Sequence, residues 1–440
     1  MRPLISFLMM LPAAAGAGEF SVSLAEAERG ALEVSGDHRS ASLAARAAEA
    51  GAEAAGSALY PRLALEGGLR YAAEVAEISM PAALGGARPL GDNWTYTIGP
   101  SAYWTLDGGG LRHAREAARR NAASRSASAE AARRGALLRA RAAYFRLQLA
   151  LEKVYLIGES LALSESQLRD TELAVRAGTR SRLDGIRARQ ETLDRRREMI
   201  RARSELAGAL AELSLASGIE APRSEEPPLD ARLSGRDYAR GALLLKAENY
   251  DDLLARLMPA SEGGPGTPPS VRALEESSAA ALASARLYRS EKLPRLVFSA
   301  RTSLDYPNGP NLYSFVQGSA GLALNMPLFE SGRLDEREKE SRLTAEAASA
   351  LRDEAARRSA RDYYLALDEY RALLDEQAVN IEAAEEAGEA AGLAYAAYKS
   401  GGATWLEVES ANLRALRART DLASVNAGVL IKLAVLDSLK

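Results

Sequence analysis

Few residues in this sequence are of a type and spacing that could do chemistry. His38 and His113 stand far apart and cysteine is absent, which excludes disulfides, thiolate metal sites, a cysteine nucleophile and a lipid anchor on cysteine; no metal site is expected. No serine, histidine and acid set has a family-like spacing, and no phosphate-loop pattern occurs. Gly108, Gly109 and Gly110 read as turn residues between a strand and a helix. No enzyme and no cofactor are expected. The chemistry that remains is electrostatic. Thr404 and Glu407, three apart just after Gly401 and Gly402, fit a capping box at a helix start. Ser181 and Asp184 repeat that spacing after Gly178 and Thr179, where a carboxylate favours the positive end of a helix.

Those two turns need long helices on either side, and the chain supplies them. It has 440 residues, 26% charged and 6% aromatic, with long stretches of Ala, Leu, Arg and Glu that favour helix. Leu147, Leu151, Val154, Leu161 and Leu168 space as a coiled-coil seam, and Ile186, Leu193 and Ile200 follow at strict sevens after the first turn. A net charge of −3, with acids interleaved among the arginines, gives no reason to expect nucleic acid.

The chain is built twice. Gly109 to Gly178 and Gly332 to Gly401 span equal lengths (178 − 109 and 401 − 332, 69 in each case). Pro61-Arg62-Leu63 is echoed by Pro294-Arg295-Leu296, each opening a stretch that alternates with period two. Leu63, Leu65, Leu69 and Tyr71 alternate with polar or small residues, as do Trp94, Tyr96, Ile98, Ala102, Trp104 and Leu106. Leu296, Phe298, Ala300 and Leu304 do the same, and so does 316–326. A loop rich in Pro and Gly separates the first pair, and 238–257 reads as a short helix inside a linker-like insert.

At the start, Arg2, an apolar run and Ala15-Gly16-Ala17 read as a secretory signal peptide. No later stretch offers about 18 uninterrupted apolar residues, so no membrane helix is expected. The alternating stretches hold about 9 to 13 residues, enough to cross a bilayer as tilted strands, with aromatics at Trp94, Tyr96, Tyr103, Trp104, Tyr306 and Tyr313 suited to interfaces. A soluble sheet packed on the helices is the alternative. If the strands face lipid, four of them cannot close a barrel, and open edges in hydrocarbon are costly, so several copies must share one barrel.

The expected division is 1–17 signal peptide, 18–60 first-repeat helix, 61–107 β-hairpin, 108–219 helix pair, 220–269 insert, 270–293 second-repeat helix, 294–331 second hairpin, and 332–440 second helix pair with the C-terminus. The fold class is mainly α with two β-hairpins, a duplicated helix–hairpin–helix–helix plan.

The exported start, this plan, Pro327-Leu328-Phe329-Glu330-Ser331-Gly332-Arg333 closing a strand, Ala177-Gly178-Thr179-Arg180 with Leu183-Asp184, and Tyr398 with Gly401 and Leu406-Glu407 resemble the outer-membrane efflux (TolC-like) family. The resemblance covers nearly the whole mature chain. It implies a homotrimer whose twelve strands form one barrel in outer-membrane lipid, continued by a periplasmic α-helical barrel. It also implies a passive exit duct of a tripartite efflux or type I secretion system, with a periplasmic adaptor (membrane fusion) protein and an inner-membrane transporter as partners. Gly178, Thr179, Gly401 and Gly402 would be adaptor-docking tips; Tyr398, Glu407 and Asp184, with Leu183 and Arg180 beside them, would form the periplasmic gate. The family's second-repeat turn often has arginine where this chain has Ala403, and a second acidic position is Ser410 here; the first repeat keeps Arg180. Glu407 and Asp184 then read either as helix-start carboxylates or, for Glu407, as a ring of three favouring cations. Tyr398 reads as gate or as packing, and Trp405 as adaptor contact or buried anchor, the anchor preferred. A periplasmic coiled-coil structural or adaptor protein without a membrane barrel is the alternative function.

Overall fold

The computed structural model describes residues 20–81, 86–220 and 245–440. The signal-peptide stretch and 221–244 of the insert lie outside the described residues. The elements, in order, are β1 (Phe20–Val22), α1 (Leu24–Val34), α2 (Gly36–Ser57), β2 (Arg62–Tyr71), β3 (Glu77–Ser79), β4 (Ala87–Pro89), β5 (Trp94–Leu106), α3 (Gly110–Arg176), α4 (Arg182–Ser217), β6 (Leu245–Ala247), α5 (Tyr250–Leu257), α6 (Pro269–Ser290), β7 (Arg295–Tyr306), β8 (Phe315–Asn325), α7 (Arg333–Ser400) and α8 (Trp405–Leu439). The repeat is visible in the lengths: 22 residues for both α2 and α6, 67 and 68 for α3 and α7, 36 and 35 for α4 and α8. The chain divides into two compact units, one from 1–40, 130–268 and 356–440, the other from 41–129 and 269–355.

The second unit holds a four-stranded antiparallel sheet in the order β2-β5-β7-β8, with α2 and α6. Because side chains alternate along a strand, register decides which residues share a face. Here Leu65 lies opposite Pro100, Leu69 opposite Tyr96, Trp104 opposite Phe298, and Phe298 opposite Leu322. Followed strand to strand, this register collects every alternating apolar position onto one face, and that face carries no charged residue. The other face has Arg62, Glu66, Arg70, Arg301 and Asp305, where Arg301 donates to Thr97 Oγ1 at 2.8 Å and Thr97 to Asp305 Oδ1 at 2.5 Å. Tyr71 and Trp94 meet at 5.0 Å, and Tyr96 stacks on Tyr306 at 5.3 Å, so aromatics gather at one end of the apolar face, with Trp104 and Phe298 at the other. Gly99 is required by close approach: a Cβ there would come within 1.9 Å of the Thr302 carbonyl oxygen. The strands β2 and β8 are exposed on both faces along nearly their whole length, which is not what a soluble sheet packed on helices would show.

In the first unit α3 and α4 pair antiparallel. Their register is marked by ion pairs along their length: Arg146–Glu212 (3.2 Å), Lys153–Glu205 (3.5 Å), Glu165–Arg196 (3.2 Å) and Glu172–Arg189 (2.8 Å). Exposed pairs of this kind contribute up to about 1 kcal/mol each, so they select register more than they hold the pair together. Burial does the holding, with Tyr144, Phe145, Leu147, Val154 and Leu161 of α3 packed among Met199, Leu206 and Leu213 of α4 and Leu430 and Leu433 of α8.

Several expectations need correction. The segment 18–60 is not one helix: Ser35 caps the end of α1 in an extended conformation before α2 begins. The loop after β2 contains a small hairpin, β3 with β4. Within the insert, 245–247 is a strand, β6, which pairs in parallel with β1, because the Tyr144 hydroxyl donates to Val22 O and accepts from Glu248 N across the pair. Ile186, Leu193 and Ile200 are 50%, 56% and 44% exposed and do not form the α3–α4 seam. The seam on α4 is instead Ala188, Glu191, Thr192, Arg195, Met199, Ala202, Leu206, Ala209 and Leu213, on the opposite face. By length and composition α8 is apolar enough to cross a membrane, although Lys432 and Asp437 interrupt its aliphatic run as expected. Its Val425, Val429, Leu430, Leu433 and Leu436 lie buried in the helical core.

Candidate functional site at the helical tips

Both long helices end in the same backbone device. Gly178 and Gly401 adopt φ of 75° and 90°, the left-handed conformation that costs a residue with Cβ most. The next N–H then reaches back five residues, Thr179 N to Ala174 O at 3.0 Å and Gly402 N to Ala397 O at 2.8 Å, satisfying carbonyls left free at a helix end. Gly402 has an ordinary φ, so of the second pair only Gly401 is demanded by the turn.

The helix starts that follow differ. At Thr404 the capping box is complete: Glu407 N donates to Thr404 Oγ1 at 3.4 Å, and Thr404 N donates to Glu407 Oε2 at 2.6 Å. At Ser181 only half is present, Asp184 N donating to Ser181 Oγ at 3.1 Å. Hydrogen bonds from the Thr404 backbone N–H, and then from its hydroxyl, hold the Glu407 carboxyl below its usual range. A carboxylate whose folded pKa is depressed stabilises above its unfolded pKa, and that contribution is lost as pH falls through the folded value. The second tip is therefore expected to loosen at acid pH below the ordinary Glu range. Trp405 fluorescence followed against pH should show this transition, and Glu407→Gln should remove it.

The two tips are joined within the chain. The Arg180 guanidinium lies 4.2 Å from the centroid of the Tyr398 ring and also donates to the Tyr398 carbonyl. A cation over an aromatic face contributes roughly 0.5–2 kcal/mol depending on desolvation. Tyr398, 4% exposed, meets the edge of Trp405 at 5.2 Å, and Trp405, 1% exposed, is walled by Ala188, Val408 and Leu168. Trp405 is thus a buried anchor. Burial pushes the Tyr398 hydroxyl above its usual range. Beside this cluster Tyr395 donates to Asp170 Oδ2 at 2.7 Å, and Lys399 Nζ sits 4.9 Å from the Tyr395 ring. Burial first, and then the Asp170 bond, hold the Tyr395 phenol protonated far above neutral pH. A cavity of about 650 Å³ opens between the tips, lined in part by Asp170, Thr179, Arg180 and Tyr395. Of the expected gate residues the structure brings Arg180 and Tyr398 into contact. Glu407 and Leu183 are exposed, the latter at 54%, and the Glu407 carboxylate is occupied as a cap.

One group escaped sequence reasoning. Farther along the helices from the tips, Asn412 Nδ2 of α8 donates to Gln167 Oε1 of α3 at 2.9 Å and to Glu191 Oε1 of α4 at 3.2 Å. Arg195 and Thr171 are buried nearby, and none of these five residues is more than 7% exposed. Burial raises the Glu191 pKa, opposed by its bond to Asn412 and by Arg195. Buried polar layers of this kind serve register better than stability. Stepping back from Met199 in threes and fours along the true seam lands on Arg195 and Glu191; the competing exposed stripe at strict sevens hid that signal.

Comparison with known proteins adds to this geometry. Among curated proteins, none matches the sequence. Among solved structures, the outer-membrane channel OprN is similar with a TM-score of 0.72 at 19% identity, over 94% of this chain and 89% of that one. The outer membrane protein VceC of Vibrio cholerae gives 0.72 at 18% identity, over 94% and 95%. The MtrE outer membrane channel of Neisseria gonorrhoeae, in its open state, gives 0.71 at 18%, over 94% and 88%. At these identities the likeness shows the fold. The sequence itself matches the profile of the family described as outer membrane efflux protein over residues 29–219 and 267–439. With most of its length matched, the chain belongs to the outer membrane efflux protein family: it is a channel of the outer membrane through which substrates leave the cell, and not an enzyme.

Proposed function

We propose that three copies of this chain assemble into one duct, their twelve strands closing a barrel in the outer membrane and their helices continuing it as an α-helical barrel in the periplasm. The observation that carries this is the four-stranded sheet, with one face free of charged residues and mostly apolar, both outer strands exposed, and β2 and β8 as open edges. Open edges in hydrocarbon leave backbone groups unpaired at several kcal/mol each, and pairing β8 of one copy with β2 of the next removes them. On this reading the hairpins in 61–107 and 294–331 are the membrane part, and the helix pairs in 108–219 and 332–440 are periplasmic. The duct is passive. It receives substrate from an inner-membrane transporter through an adaptor protein that docks at Gly178, Thr179, Gly401 and Gly402. Fractionation should place the protein in outer membranes as a trimer that resists SDS; a soluble monomer would overturn the reading.

The tips act as the gate, with Arg180, Leu183, Asp184, Tyr398 and Glu407 around the constriction. Ala403 leaves the second turn without an arginine of its own, and the Arg180 clasp on Tyr398 ties that turn to the first within one copy. In planar bilayers Arg180→Ala is expected to raise single-channel conductance several-fold, while Arg180→Lys, which keeps a charge but loses the planar stack, recovers it only in part. Glu407→Gln is expected to weaken cation preference; unchanged ion selectivity would remove Glu407 from the gate and leave it a cap alone.

A further inference from the structure

Two long faces in the helical unit are bare, and their chemistries are opposite. On α4 the face away from the buried seam carries Ile186, Leu193 and Ile200 at 50%, 56% and 44% exposure. Arg182, Arg197 and Arg201 flank it; Arg182 and Arg201 make no ion pair among the described residues, and Arg197 pairs only with Asp194 of its own helix. On α7 the face away from its buried positions carries Leu365, Val379 and Leu393 at 54%, 65% and 63%. Between Arg371 and Lys399 that helix has no basic residue at all. Asp375, Glu382, Glu386 and Glu389 stand exposed beside the apolar positions, and none has an ion-pair partner among the described residues.

We infer that these two faces are made for each other on neighbouring copies, the basic and apolar face of α4 on one protomer seating against the acidic and apolar face of α7 on the next. The inference rests on the reading of the chain as a shared duct, and it assigns the helical seam between copies. Both faces lie opposite the seams already used within the chain, where the second neighbour of a helix in a closed ring must sit. The directions are compatible, because α4 starts at its tip while α7 ends at one, so the pair is antiparallel. The levels agree as well. The Arg180 contact with Tyr398 holds the tips at one height. Counting from them, Glu389 and Leu193 stand level (400 − 389 and 193 − 182, 11 in each case), as do Glu382 and Ile200 (400 − 382 and 200 − 182, 18 in each case). That places Glu382, Glu386 and Glu389 alongside Arg197 and Arg201. The charges also exclude the wrong pairing: α7 against a second α7 would set carboxylate rows against each other.

The absence of cysteine gives a direct test. The full chain carrying Ile200→Cys and Glu382→Cys, oxidised in outer membranes, is expected to give covalent dimers and trimers on denaturing gels that collapse with reductant. A faster-running monomer would mean a link within one copy and would overturn the seam. Separately, Glu382→Arg with Glu389→Arg is expected to lower the yield of SDS-resistant trimer at least tenfold. Adding Arg197→Glu and Arg201→Glu to the same chain should restore it, since every copy then presents both faces reversed; restoration is not expected if the first pair merely misfolds the helix. Trimers present in outer membranes, indifferent to these reversals and without the cross-link, would reject the seam and leave the duct standing. A native chain recovered only as soluble monomer would reject both.

Discussion

Arginine in place of Ala320 is expected to prevent accumulation in the outer membrane, whereas arginine at the next residue, Gly321, is expected to be tolerated. Ala320 lies midway along β8, opposite Ala300, which in turn lies opposite Ala102. These small residues sit at the centre of the apolar face. A charged arginine near the bilayer midplane of a barrel costs roughly 2–4 kcal/mol, and one per copy in a shared barrel multiplies that cost by the number of copies. A marginally stable chain has little more than this to lose. Gly321 points to the other face, opposite Ser299, on the same side as Arg301 and Asp305. A Cβ there meets only the Ser299 hydroxyl, at 3.5 Å, an ordinary contact. Heat-modifiability of the trimer in outer-membrane fractions would separate the two variants. Equal behaviour would mean that the apolar face does not meet lipid, and the membrane barrel would have to be abandoned.

Trp405→Ala is expected to be the most damaging single change at the tips. Trp405 is 1% exposed, stacks edge-on against Tyr398, and is the largest side chain in a small satellite cluster with Ala188, Tyr398 and Val408. Removing a buried aromatic costs about 3–5 kcal/mol. Here the loss falls on the clasp itself, because Tyr398 would lose the wall that holds its ring under Arg180. The expected results are rapid proteolysis between 401 and 404 and a large, noisy conductance, with trimer assembly in the membrane preserved. Trp405→Phe should be mild: it keeps an aromatic wall, and the indole Nε1–H has no hydrogen-bond partner among the described residues to forfeit. Leu406→Ala, at a position 58% exposed, should leave the tip intact. If alanine at 405 changed neither proteolysis nor conductance, the tips would not depend on this cluster.

The same clasp ties the second turn to the first although the second turn has no arginine of its own. In Arg180 the first repeat supplies the cation, and in Tyr398 the second supplies both the ring and a carbonyl near its helix end. A cation near a helix C-terminus is favoured by the helix dipole as well as by the ring. The acidic partner at the second helix start, Glu407, is meanwhile committed to its own backbone. The two turns are equivalent in backbone and unequal in chemistry, as a duplication that later diverged would leave them.

What the sequence determined by itself was everything that depends on near neighbours. The pleat makes sidedness a matter of odd and even positions, so the strands around Leu65, Ile98, Phe298 and Leu322 were legible. Turn and cap chemistry acts across three to five residues, so Gly178, Gly401 and the Thr404–Glu407 box could be read directly. Equal spacings exposed the repeat. Tertiary structure alone decided what depends on which helix stands opposite. Ile186, Leu193 and Ile200 have an impeccable heptad spacing and yet face outward, while Glu191 and Arg195, polar and unpromising, occupy the true seam. Periodicity says that a face exists and cannot say which of two faces meets the partner. The Arg180–Tyr398 clasp joins residues 218 apart, and β1 finds β6 across more than half the chain. Contacts at such separations are set by the packing of whole helices, and local spacing carries no trace of them.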